Sequence, residues 1–383
     1  MAPSNEIETA AELVVAIEAG ETLSDAVVQG VDLGEVEVDW SKVDVAGAFF
    51  LGCDIPDAEV ALTLQRGGAI VVPELGEGER PFRVYPSRLY SYEDLVATGM
   101  DAAVRSYFES SRSRRGDPDP DHPVEAVAQR LHDTAMTDAI WDLVRPAGER
   151  PLRVAGIMGG HAVHRDDPSY RAVTEVGYGL TEAGLTVVTG GGPGIMEAGN
   201  LGAFLTRSGD RAAIDRALGV LATAPGVEHP GYGDRADEVH ADHAGASGGT
   251  SLAIPTWLYG HEPVGRFASH IAKYFANSIR EDGLLRVAAA GIVFSPGGAG
   301  TVQEIFQDLA VNAYAPAAER APMVFLGSGW FRDNGIAAVV ERFAATAEPP
   351  FDGLVTITDS VDAAVAAIAK PTRPVDSLRT SFL

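Results

Sequence analysis

Apolar positions in the second half of this chain fall into two alternating registers. Short continuous runs bounded by glycine or proline predict buried strands at residues 152–158, 185–189, 217–222, 251–254, 288–294, 322–326 and 354–358. Longer stretches with helical spacing lie between them, at 170–183, from the glycine loop at 190 through Thr206, at 263–279 and at 301–312. Strands alternating with helices imply βαβ units and a parallel sheet. About seven strands predict an α/β fold with a Rossmann-like, doubly wound, mainly parallel sheet. Ligands of such sheets sit outside the C-terminal strand ends, and the loops at Gly159, Gly190 and Gly297 all fall at such ends.

The first 115 residues are patterned differently. Helical spacing at 7–17 (Ile7, Ala11, Val14, Val15) is followed by strand-like runs at 45–51 and 69–72 around an amphipathic stretch, 58–65. Ser91-Tyr92-Glu93-Asp94 before Leu95 reads as a helix start. This predicts a smaller N-terminal α+β domain with no catalytic constellation, and a regulatory, substrate-covering or oligomerising role. Residues 112–123 are charged, carry Pro118, Pro120 and Pro123, and read as a linker, with helical periodicity at 124–144. The expected organisation is therefore an N-terminal domain (1–115), a linker and helix (116–150), a Rossmann-like domain (151–371) and a tail (372–383).

Composition narrows the chemistry. The formal net charge is −25, from 54 acidic and 29 basic side chains, which disfavours nucleic-acid binding by phosphate neutralisation. The only dense basic run, Arg112-Ser113-Arg114-Arg115, is followed at once by acids and reads as solvated. Lys42, Lys273 and Lys370 are the only lysines, and none stands at a strand end beside a glycine loop, as a Schiff-base lysine would. The single cysteine, Cys53, excludes an internal disulfide and a Cys-based zinc cluster, and it reads as a small buried residue. No secretory pattern or apolar run of membrane-spanning length is present. A cytoplasmic protein with no membrane partner is expected.

Two glycine loops carry the candidate chemistry. In 295–304, Ser-Pro-Gly-Gly-Ala-Gly-Thr-Val-Gln-Glu, a strand breaks at Pro296 and a helix opens near Thr301. Side-chain-free residues let backbone N–H groups approach an anion, and the helix N-terminus adds partial positive charge. Glu304 would then be the carboxylate near a bound phosphate ester. Thr301-Val302-Gln303-Glu304 is equally a capping box, so a purely structural reading competes. Neither Gly-x-Gly-x-x-Gly nor a P-loop is matched, which weakens a dinucleotide oxidoreductase.

The segment from Pro296 to Glu304 resembles the PGGxGTxxE motif of the LOG phosphoribohydrolases, once mislabelled as lysine decarboxylases. Gly190-Gly191-Gly192-Pro193-Gly194-Ile195-Met196-Glu197-Ala198 resembles that family's second glycine loop, and the likeness covers roughly 152–370. The Met-Glu-Ala ending, the N-terminal extension and Asn277-Ser278-Ile279-Arg280-Glu281 look most like the larger bacterial branch. The resemblance implies cleavage of nucleoside 5′-monophosphates to free base and ribose 5-phosphate, without metal or organic cofactor, in a homodimer or larger homo-oligomer. It implies Glu304 and Arg280 as catalytic residues, although the small LOG enzymes have Arg-Lys where this chain has Arg280-Glu281. A surface arginine at a helix end is the structural alternative for Arg280.

Phosphate and ribose would be held by Gly297, Gly298, Gly300 and Thr301 on one wall and by Gly191, Gly192, Gly194 and Met196 on the other. Gly159, Gly160 and His161 would close the pocket. Glu197 would approach the ribose or serve as a helix N-terminal carboxylate favoured by the dipole. His240-Ala241-Asp242-His243 could ligate a metal if helical, but the following glycines mark a loop. Tyr259 to Pro263 could border the site. Rival functions are cytokinin riboside monophosphate cleavage and nucleotide sensing without turnover.

Overall fold

A computed structural model describes residues 6–20, 22–73, 80–110, 123–146, 148–243, 249–259 and 262–370. The linker read at 112–123 lies almost wholly outside them, as do the tail at 372–383 and the glycines that follow His243 up to Gly248. The chain forms two compact units, residues 1–89 with 99–140, and residues 90–98 with 141–383. The division does not follow the expected boundary near 115. The segment 90–98 packs with the larger unit, and most of the helix predicted at 124–144 packs with the smaller one.

The smaller unit contains β1 (Glu6–Ile7), α1 (Ala10–Glu18), β2 (Val27–Gln29), β3 (Phe49–Cys53), α2 (Ala58–Arg66), β4 (Ile70–Pro73) and α3 (Met100–Ser110). α4 (Pro123–Val144) begins in it and runs into the larger unit. The four strands lie in sequence order, and every pairing is parallel. α1 starts at a capping box in which Thr9 and Glu12 satisfy each other's backbone N–H groups. Leu13, Val28, Phe50 and Leu64 are fully buried in the core beneath the helices. Cys53 lies in the same core, where burial pushes its thiol up to about 11, so it is an inert packing residue.

The larger unit proceeds through β5 (Val154–Met158), α5 (Pro168–Glu182), β6 (Thr186–Thr189), α6 (Ile195–Leu205), α7 (Ala213–Leu221), α8 (Tyr232–Ala241), β7 (Ser251–Ala253) and β8 (His270–Ile271). It continues with α9 (Asn277–Val287), β9 (Gly291–Phe294), α10 (Ala299–Tyr314), β10 (Met323–Leu326), α11 (Ser328–Asp333), α12 (Ile336–Thr346), β11 (Val355–Thr358) and α13 (Val361–Ala369). Its seven strands form one parallel sheet in the order β11-β10-β9-β5-β6-β7-β8. The protein is thus α/β, with a doubly wound, Rossmann-like sheet. Winding proceeds outward from β5 to β8, then returns to β9 on the other side of β5. The order reverses between β5 and β9, and that is where such sheets open a crevice.

Two elements differ from the sequence expectation. Residues 217–222, read as a strand, belong to α7, whose buried Ala213, Ile214, Ala217, Leu218 and Leu221 form one helical face. The apolar window was the tail of a helical repeat. Residues 263–279, read as a helix, instead hold β8 and a run of irregular backbone before α9. Phe267, Ile271, Tyr274 and Phe275 are all buried there, and β8 gains its hydrogen bonds from β7. The sheet has the expected seven strands because one strand was misread and one was missed.

α5 and α6 touch backbone to backbone. A Cβ on Gly202 would lie 2.1 Å from the Thr174 carbonyl oxygen, and one on Gly177 would lie 2.4 Å from that of Gly199. Only glycine permits this approach, and it fixes α6, whose N-terminus carries the second glycine loop.

Candidate active site

A pocket of about 370 Å³ opens at the switch point of the large sheet. Its lining comes from the C-terminal end of every strand near the reversal. Met158 to His161 follow β5, Gly190 and Met196 follow β6, and Thr256, Tyr259 and Glu262 follow β7. Arg280 and Glu281 come from α9, and Gly298, Ala299, Gly300, Thr301 and Glu304 follow β9. The three loops predicted to converge do so.

The loop after β9 leaves its helix end open. α10 starts at Ala299 with Gly298 as N-cap, and no side chain caps it. Thr301 is therefore inside the first turn rather than at the cap, and Glu304 is a further turn along. This overturns the capping-box reading of Thr301 and Glu304. An uncapped N-terminus of a long helix facing a pocket offers backbone N–H donors and dipole charge to an anion.

The remaining glycines shape the loops. A Cβ on Gly297 would meet Thr301 Oγ1 at 2.2 Å and the Gly160 nitrogen at 2.8 Å, so Gly297 allows the loops after β5 and β9 to touch. The Gly160 N–H donates to the Pro296 carbonyl at 3.0 Å and seals that contact. Gly194 has φ +67 and would place a Cβ 2.5 Å from the Gly160 carbonyl oxygen. Gly191 packs on Pro255, and Gly192 lies under the Glu262 carboxylate. Gly191, Gly192, Gly194 and Gly297 thus hold the loops in place without lining the pocket. Gly190, which the sequence reading did not assign, lines it instead.

Glu304 faces the pocket, partly exposed to it. Burial pushes its carboxyl up to about 7, Arg280 pulls the other way, and Glu281 adds to the rise. Arg280 is buried rather than lying on a surface helix end. Its Nε donates to Asn277 Oδ1 at 2.9 Å, and Nη1 donates to the Ile254 carbonyl at 3.3 Å. Nη2 lies 3.5 Å from Glu281 Oε1. Tyr259 has its hydroxyl proton held more tightly than usual, chiefly by burial. His161 stands exposed at the rim.

Glu197 does not reach the pocket. It lies in the first turn of α6 but is buried in a separate cluster. Arg165 donates to both of its oxygens, at 2.8 and 2.6 Å, and Tyr170 and Tyr232 donate at 2.8 and 2.9 Å. With four donors satisfied by protein, it has no capacity left for a ribose. The motif glutamate is a buried tie between α6 and the loop after β5.

His240 closes α8, so this part of the segment read as a loop is helical. Its ring stacks on Phe204 at 5.0 Å and contacts Arg266 at 3.0 Å, while His243 Nδ1 donates to the Val239 carbonyl at 2.9 Å. Among the described residues no three His, Cys, Asp or Glu side chains converge as a metal site.

Tyr259 and Glu262 come from the segment read as bordering the site, whereas Glu281, Thr256 and Met158 are pocket residues that sequence reasoning did not assign to it. Glu281 carried one signal, the departure from Arg-Lys. The others carried none, because tertiary folding brings them to the sheet edge.

The chain matches no protein-family model and no curated protein. Among solved structures it is similar to the molybdenum cofactor carrier protein of Chlamydomonas reinhardtii, at 18% identity and a TM-score of 0.33, covering 57% of this chain and 96% of that one. It is also similar to the molybdenum cofactor binding protein of Rippkaea orientalis, at 14% identity and a TM-score of 0.35, covering 58% and 97%. Among the described residues, no helix is long and apolar enough to cross a membrane.

Proposed function

We propose that this chain is a phosphoribohydrolase of the LOG type, hydrolysing nucleoside 5′-monophosphates to free base and ribose 5-phosphate. The observation that carries the reading is that Glu304, whose carboxyl holds its proton more tightly than usual, and the buried guanidinium of Arg280 line one pocket that begins at an uncapped helix N-terminus. The phosphate would bind the N–H groups of Gly298 to Thr301, and its binding energy would position the sugar. Three carboxylates, at Glu262, Glu281 and Glu304, line the rest of the pocket. Glu262 and Glu304 suit a sugar whose hydroxyls donate hydrogen bonds, and the negative charge of all three suits a ring that becomes cationic.

In the reaction water adds to C1′ as the C1′–N bond breaks. The bonding pair leaves with the base, which takes up a proton. Positive charge grows on the ribose ring in the transition state, and an ionised Glu304 stabilises it or accepts the water proton. Arg280 holds the ribose hydroxyls or the carboxylate in register.

The test is incubation with AMP, GMP, CMP, UMP, IMP, a prenylated AMP and NAD, with chromatographic resolution of base and ribose 5-phosphate, alongside Glu304→Gln. Base release that falls at least a hundredfold in the variant is expected, and the substrate preferred would name the base class. Binding without release would replace the hydrolase by a nucleotide sensor. Release unaffected by Glu304→Gln would remove Glu304 from the chemistry.

A further inference from the structure

We propose that Glu281 is a positioning residue, which holds the guanidinium of Arg280 and the helix turn of Glu304 in register by bridging α9 to α10. The proposal deepens the hydrolase reading and rests on it.

Burying a carboxylate costs several kcal/mol unless partners compensate, so the placement of Glu281 requires a reason. Its side chain is 7% exposed. Oε1 accepts from Asn277 Nδ2 at 2.7 Å and lies 3.5 Å from Arg280 Nη2, and Oε2 accepts from Gln303 Nε2 at 2.6 Å. Asn277 closes the ring on the α9 side by accepting from Arg280 Nε at 2.9 Å. Gln303 is on α10, immediately before Glu304. One carboxylate therefore joins the helix that carries Arg280 to the helix that carries Glu304, and both of its oxygens are committed to protein.

Its charge has a second effect. Burial and Glu281 both raise the proton affinity of Glu304, and Arg280 lowers it. The titratable and charged groups sharing the pocket with Glu304 are His161, Tyr259, Glu262, Arg280 and Glu281. Of the acids, Glu281 is the one tied to the neighbouring residue on Glu304's own helix.

Three variants separate position from charge. Glu281→Gln removes the charge and keeps the size. Glu281→Asp keeps the charge and shortens the reach. Gln303→Leu breaks the bridge from the other side. The readouts are kcat and KM for base release against pH, and the titration of the Glu304 carboxyl by 13C NMR in substrate-free protein.

Glu281→Gln should lower the Glu304 midpoint by about one pH unit, with kcat reduced about tenfold or more and KM changed less than about threefold. Glu281→Asp and Gln303→Leu should lose kcat to a similar degree while the midpoint moves less. An unchanged kcat and midpoint in Glu281→Gln would overturn the proposal, as would losses confined to KM. If the wild-type protein releases base from no monophosphate, the hydrolase reading fails, and the NMR midpoint alone decides for or against Glu281.

Discussion

At the scale of single residues, the protonation of Glu304 makes the sharpest prediction about the fold itself. Its carboxyl holds a proton up to about 7, against an ordinary value of 4.5. Between those values the folded chain keeps a proton that the unfolded chain has lost, so stability is greatest below the window and declines as pH rises through it. Glu304→Gln carries no charge at any pH. It should match the wild type in unfolding free energy at pH 4 and exceed it at pH 8, by on the order of 3 kcal/mol. Equal unfolding free energies at both pH values would show that the wild-type carboxyl is comfortably solvated. The same ionisation should appear in activity, with base release rising through pH 7 as the carboxylate forms.

At the scale of elements, glycine decides how closely helices and loops approach. A methyl group at Gly202 meets the Thr174 carbonyl oxygen at 2.1 Å and the Tyr178 nitrogen at 2.6 Å, neither of which can move aside without displacing α5. Gly202→Ala should cost about 1–3 kcal/mol by overpacking, read as a lower urea midpoint with an unchanged slope. Gly233→Ala, which meets nothing within 4 Å, is its control.

Such contacts also mark where sequence reasoning succeeded and where it stopped. The loops after β5, β6 and β9 were legible because strand, glycine turn and helix follow one another locally. Thr301 was misplaced in its helix because a capping box and the interior of a first turn share residue types. α7 was misread because five apolar residues around Gly219 fit either period, whereas its full buried face spans nine positions. β8 has two residues and no periodicity, and it is a strand only because β7 lies beside it. Glu197 was misassigned for a related reason. Its partners Arg165, Tyr170 and Tyr232 are scattered along the chain, and nothing local announces them.

At the scale of the whole molecule, the chain passes from one unit to the other after residues 89, 98 and 140. The short segment 90–98 belongs to the larger unit, where Tyr90 exchanges backbone hydrogen bonds with Ile271 at 2.9 and 2.8 Å. Arg266 secures the same segment through Glu93 at 3.0 Å and the Tyr92 ring at 4.2 Å. β8 is an edge strand of the seven-stranded sheet, and Tyr90 is its outer partner. A fragment comprising residues 141–383 would leave that edge bare, a known route to edge-to-edge association. It should scatter light at concentrations where the full chain remains clear, and a synthetic peptide of residues 88–99 should reduce the scattering. A clear, monodisperse fragment would show that the edge is protected by other means.

The strand order also sets a timetable. β5 and β9 are neighbours in the middle of the sheet, yet β9 follows β5 by well over a hundred residues. On a ribosome adding roughly 5–20 residues per second, β5 to β8 can assemble while the inner flank of β5 waits on the order of ten seconds for its partner. Throughout that interval the nascent half-sheet is open along the line where the pocket will form. Arg280 emerges shortly before β9 and Glu304 shortly after it, so the proposed catalytic pair is completed by the same docking event that closes the sheet. A chain stalled or truncated in between would carry the loop after β6 and an open flank on β5, a target for chaperones and still without chemistry.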